Sequence, residues 1–156
     1  MKLIKRMIKI IVCIPIALIL LVIAFEIAGM VVNHTATWRQ TGKLQNVIQK
    51  ELTNAEIIDT YSETGNTSGT GNHVDMLTVV VFRTDDSISD IEDKLKDHYE
   101  FDEWSCWIEK MDIIEERRQD GYYKFCEKMD IPETSVHCYL MYLNQSAPFA
   151  DNIEGH

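Results

Sequence analysis

Apolar side chains follow one another almost without a break from Ile10 to Val32, and beyond Val32 they recur only at intervals. The first regime predicts a helix of about 35 Å, long enough to cross a hydrocarbon core of roughly 30 Å. A secretory signal peptide would carry a shorter apolar region, about 7–15 residues, followed by a small-x-small cleavage site. Here Glu26 and His34 stand two places before Ala28 and Ala36, so no such site forms and the run reads as a retained signal anchor. Lys2, Lys5, Arg6 and Lys9 precede the run, whereas only Arg39 and Lys43 follow it closely. That asymmetry puts the N-terminus in the cytoplasm and the rest of the chain outside. The expected layout is a basic cytoplasmic tail over 1–9, a transmembrane segment over 10–32, a polar juxtamembrane link over 33–39 and one extracytoplasmic domain over 40–156.

In the second regime the spacing of apolar positions assigns the elements. Leu44, Val47, Ile48 and Leu52 recur at helical intervals and predict a helix over 40–54. Ile57 and Ile58 mark a strand over 56–61, and Gly65, Gly69 and Gly71 among small polar residues make 62–73 a loop. The stretch LTVVVF within 76–83 is β-branched and apolar on both faces, as a central strand should be. Ser87, with Asp90 three places on, signals a helix start, and Ile88, Ile91, Leu95 and Tyr99 form its buried stripe. Trp104, Cys106 and Ile108 alternate within a strand over 101–111. Strand, helix and strand in succession form a crossover if the strands are parallel; an inserted neighbour would make the pairing antiparallel. Residues 112–130 fit a helix, with a hairpin about Asp120-Gly121 as the competing pattern. VHCYLMYLN over 136–144 reads as a second central strand, and 145–156 has no period. The fold class that follows is α+β: an N-terminal transmembrane helix, then one small domain with a mixed sheet of about four strands and two to three packed helices.

Charge narrows the partners. The chain carries 25 acidic residues against 15 Lys and Arg, for a net charge of −10. The balance is uneven, +3 over residues 1–32 and −13 over the rest. So acidic a body repels phosphate backbones, which argues against nucleic acid and leaves basic proteins or peptides, cations and neutral ligands open. Cys13 lies in the apolar run, and Cys106, Cys126 and Cys138 lie in the domain. With no C-x-x-C and no Cys/His ligand spacing, they support neither a redox motif nor a structural zinc site. They read as buried thiols, with one bridge from Cys138 to Cys106 or Cys126 as the alternative.

The strongest polar constellation is His73 and Asp75 at the entry to the first central strand. Two places apart in β geometry they share a face, about 7 Å from each other, so the carboxylate can orient the imidazole. A base held that way could activate Ser68, Ser105 or a water, and His137 could join the pair in a metal site. The glycine-rich loop lacks the Lys and the following helix of a P-loop, and also the spacing of a dinucleotide fingerprint, so no cofactor is implied. Glu26 is an ionisable group at membrane depth, near enough to the end of the run to reach the head groups. Ala24 and Ala28 flank it as a small-xxx-small pair suited to helix contact. Trp104, Trp107, Tyr122, Tyr123, Tyr139 and Tyr142 divide between core and interface.

The expectation is a single-pass membrane protein. Its partners are the lipid bilayer and a protein, peptide or small ligand bound by a non-catalytic domain. A membrane-tethered hydrolase using His73 and Asp75, and a small regulatory subunit acting through its helix, are the alternatives.

Overall fold

A computed structural model of the chain describes residues 2–69, 71–114, 124–129 and 137–156, with side chains along the first helix from Ile11 onward. That helix, α1, runs unbroken over Lys2–Glu51. The link expected over 33–39 is therefore helical. No Gly or Pro interrupts it, and Asn33, Thr37, Gln40, Leu44 and Ile48 recur every three or four residues along one face turned to the domain. The stripe is polar at first and apolar later, which is why hydrophobic spacing alone begins it at Leu44.

After α1 come β1 (Glu56–Gly65), β2 (Asp75–Arg83), α2 (Ile88–Leu95), β3 (Cys106–Lys110) and β4 (Cys138–Ser146). The strands form one sheet in the order β1-β2-β4-β3, and each neighbouring pair is antiparallel. β2 and β3 point the same way, as a crossover through α2 requires, but β4 is inserted between them. The architecture is α+β.

Both faces of the sheet are buried, because successive residues of β2 and β4 point to opposite sides. Val80, Phe82, Tyr139, Met141 and Leu143 pack under α1 and α2 with Leu44, Ile48, Ile91 and Leu95. Leu77, Val79, Val81, Cys138 and Leu140 pack on the other side with Met111, Ile114, Cys126 and Met129. Each large side chain buried in this way contributes about 1.5–3 kcal/mol relative to an exposed one. Cys106, Cys126 and Cys138 are buried, and neither of the bridges considered is formed.

β3 is shorter than the alternation of Trp104, Cys106 and Ile108 suggests, and Asp102 is the reason. Its carboxylate accepts the backbone N–H groups of Trp104 and Ser105, each at 2.6 Å, and the Ser105 hydroxyl. This side-chain turn competes with extended backbone and leaves Trp104 84% exposed. Residues 111–114 form a helical turn and Lys124–Lys128 a 3-10 turn. The remainder of the helix-or-hairpin region, with Tyr122 and Tyr123, and the start of the strand expected at 136 lie outside the described residues.

α1 meets the sheet through a polar seam. Gln40 Nε2 donates to the Met76 carbonyl (2.9 Å) and to Thr78 Oγ1 (3.2 Å), and Thr41 Oγ1 lies 3.0 Å from Thr78 Oγ1. Thr37 and Thr64 hydroxyls are 2.7 Å apart, and Gln45 Nε2 donates to Thr60 Oγ1 at 2.8 Å. Such bonds contribute about 0.5–1.5 kcal/mol each. Unlike apolar contact they are directional, so they fix how far α1 is advanced along the sheet.

Candidate functional site

The residues with chemistry gather at one end of the sheet, where β1 ends, β2 begins and β4 ends. His73 Nε2 lies 2.9 Å from Asp75 Oδ1, as the two-residue spacing predicts. The other oxygen, Asp75 Oδ2, accepts the Ser68 N–H at 3.1 Å. Both oxygens of this buried carboxylate thus hold the glycine-rich loop in place. Asn66 reinforces the loop by donating from Nδ2 to the Gly71 carbonyl and accepting from Gly69 N–H (3.0 Å).

The other proposed partners of the pair are elsewhere. Ser105 is bonded to Asp102. His137 is at the opposite end of β4: Asp75 faces Ser146 while Arg83 faces Cys138. Eight residue steps separate the two ends, about 27 Å. His137 adopts a left-handed φ of 58° and its carbonyl accepts from Thr84 N–H. The His73, Asp75 and His137 metal site is therefore not assembled, and no group of three or more His, Cys, Asp or Glu suited to a metal occurs among the described residues.

The aperiodic tail proves to be an ordered strap against this same end. Val74 N–H donates to the Ala150 carbonyl (2.7 Å) and Ala147 N–H to the Val74 carbonyl (2.9 Å). Gly155 lies so close that an added Cβ would sit 2.7 Å from the His73 carbonyl carbon. From there the strap reaches across to α1. Asn33 pairs its side-chain amide with the Phe149 backbone, donating to the carbonyl (3.0 Å) and accepting the N–H (2.9 Å). Asn152 Nδ2 donates to the Glu26 carbonyl (2.9 Å), and Ile153 N–H donates to Glu26 Oε2 (3.0 Å). His34 Nε2 and Glu154 Oε1 are 2.6 Å apart, and the Phe25 and Phe149 rings meet edge-on at 5.7 Å. Gly29 makes room for the strap, since a Cβ there would lie 2.5 Å from Asn152 Nδ2.

Glu26 is therefore engaged by the protein itself. One carboxylate oxygen, Oε2, is taken by the Ile153 N–H. Ala24 and Ala28, each two residues away, are turned about 200° from it and remain exposed on the far side of α1. They do not share a contact with Glu26. Sequence reasoning missed Gly29, Asn33, Asn152 and Ile153. The signal that could have found part of this site is the stripe Glu26, Gly29, Asn33, Thr37, Gln40, which prolongs the buried face of α1 at helical spacing.

Two tryptophans stand out of the domain, Trp104 at the Asp102 turn and Trp38, 74% exposed, on α1. Beside Trp38 an open groove of about 680 Å³ runs over Gly42, lined by Arg39, Lys43, Val47, His98 and the Lys50–Glu51 ion pair. Among the described residues Arg39 and Lys43 pair with no carboxylate; Lys43 lies over the Tyr99 ring at 6.0 Å.

Fold and site together define an α+β domain built on, and clasped to, a helix long and apolar enough to cross a membrane. Comparison with protein-family models, with curated proteins and with solved structures produced no match to this chain.

Proposed function

We propose that this chain is a single-pass membrane protein, with its N-terminus cytoplasmic, whose acidic extracytoplasmic domain works as a non-catalytic binding module for a protein or peptide. One observation carries the reading. The helix that forms part of the domain core continues without a break into a stretch, residues 11–27, whose large apolar side chains are 48–68% exposed all round. Water does not tolerate such a surface, and lipid does. The side of α1 away from the sheet then offers the groove at Trp38, whose Arg39 and Lys43 suit an acidic peptide segment better than the rest of so acidic a domain does. The test is site-specific photo-cross-linking in intact cells, with the cross-linker replacing Trp38, Trp104 or, as a control, Glu92 on the wet face of α2. A discrete adduct from position 38 or 104 and none from 92 is expected. Absence of adducts from both 38 and 104 overturns the binding-module reading.

The 2.9 Å contact of His73 with Asp75 favours a hydrolase as the second reading. It requires that His73→Ala abolish a hydrolytic activity while the strap stays bound to α1.

A further inference from the structure

We infer that the strap, residues 147–156, is a membrane-surface collar: it rests where the outer hydrocarbon gives way to head groups, with Phe149 and Ile153 against lipid. The inference builds on the membrane-anchor reading above. Counted from Lys9, the last charge before the run, about 30 Å of helix ends some twenty residues later, at Gly29. The strap is fastened to α1 at Glu26, Gly29, Asn33 and His34, on either side of that level.

Its construction suits that depth. Polar groups left unpaired where water is scarce cost several kcal/mol. Here Asn152, the Ile153 N–H and both backbone groups of Phe149 are paired within the protein, whereas Glu154 Oε2 is buried without a partner among the described residues. Pro148 and Ile153 face outward, beside Asp151 and His156. Ile153 is 59% exposed beside Glu26, and Phe149 abuts Phe25, itself 60% exposed within the apolar run. The strap thus continues the apolar surface of the helix sideways onto the domain. Asp151 and the −13 charge of the residues beyond the run make a zwitterionic lipid surface the fitting partner, because an anionic one would repel it.

The test uses the full chain in phosphatidylcholine vesicles, with Cys13→Ala to remove the exposed native thiol, labelling of the folded chain so that the buried Cys106, Cys126 and Cys138 stay unreacted, and a fluorophore on one introduced cysteine. Leu18→Cys reports the middle of the run, Ile153→Cys the strap and Glu92→Cys the water-facing side of α2. Quenching by lipids carrying a nitroxide deep or shallow in the acyl chain is set against quenching by aqueous iodide. The expected pattern is deep-lipid quenching at 18, shallow-lipid quenching with several-fold protection from iodide at 153, and iodide quenching alone at 92. Iodide quenching at 18 would overturn the anchor reading itself. Lipid quenching at 18 with 153 behaving like 92 would overturn the collar and leave the anchor standing. Protection of 153 from both quenchers, with energy transfer between chains, would mean that a second copy covers it and would equally overturn the collar. Glu26→Ala is expected to move 153 toward iodide, whereas Glu26→Gln, which keeps an acceptor oxygen, is not. An unchanged 153 signal in Glu26→Ala would show that this clasp does not hold the collar in place.

Discussion

Replacing Asn33 by Ala removes both hydrogen bonds that tie Phe149 to α1, at 3.0 and 2.9 Å, from a side chain with no exposed surface. Two neutral bonds of about 0.5–1.5 kcal/mol each amount to about 1–3 kcal/mol. If the strap opens as a unit, the loss should appear as easier local opening rather than as global unfolding. At about 1.4 kcal/mol per factor of ten, amide exchange in the strap should accelerate about 5- to 150-fold. Hydrogen exchange read by mass spectrometry would report it on the N–H groups of Val74, Ala147, Ile153 and Gly155, which are bonded across or within the strap. The centres of β2 and β4 should keep their protection. Asn33→Asp should open the strap further than Asn33→Ala, since its second oxygen would face the Phe149 carbonyl. Equal acceleration in the strap and in β2 would refute the view that the strap opens independently. No acceleration anywhere would show that the Asn33 pairing contributes nothing.

Gly155→Ala should loosen the strap more than Gly29→Ala in the same measurement, because the new Cβ meets the His73 backbone at 2.7–3.0 Å rather than the end of the Asn152 side chain. Leu140→Ala, in the buried first half of β4, should cost about 2–5 kcal/mol in a denaturant titration of the detergent-solubilised protein. Burial, with the nearby thiol, pushes the Tyr99 hydroxyl up to about 12 from an ordinary 10.0, and burial, with the Asp102 charge, pushes the Cys106 thiol up to about 12 from 9.0. The unfolded chain loses these protons first, so the stabilisation is complete below about pH 9 and is lost as pH rises from there to about 12. Tyr99→Phe should therefore flatten the alkaline fall in unfolding midpoint. It should cost nothing at neutral pH, because the buried hydroxyl has no hydrogen-bond partner among the described residues. A soluble fragment that starts at residue 34 lacks Glu26, Gly29 and Asn33. Its residues 147–156 should be cut by protease faster than those of the full chain.

Hydrophobic period carried most of the fold. The β-branched run at 77–82, the alternation at 138–143 and the Ser87 capping box each mark an element that is present, because local backbone preference and burial agree there. Strand order was not legible, since inserting β4 between β2 and β3 depends on pairing across the 54 residues that separate Arg83 from Cys138. The His73–Asp75 contact could be read because both residues belong to one strand entry. The clasp on Glu26 could not be: its partners lie more than 120 residues away, in a segment without period. Asp102 misled for the opposite reason. A single carboxylate gathering three local donors overrode a valid alternation at Trp104, Cys106 and Ile108.

The polar seam between α1 and the sheet has a mechanical consequence. A helix bonded to two strands through Thr37, Gln40, Thr41 and Gln45 cannot rotate about its axis or slide by a turn unless the sheet travels with it. From Glu26 to Glu51 it extends about 37 Å, so leaning its apolar half by about 10° would carry the far end roughly 6 Å sideways. The loops around Thr53 and Asp86, bonded to each other at that end, act as the tip of a stiff lever. Any torque on the apolar half would arrive there as whole-domain displacement.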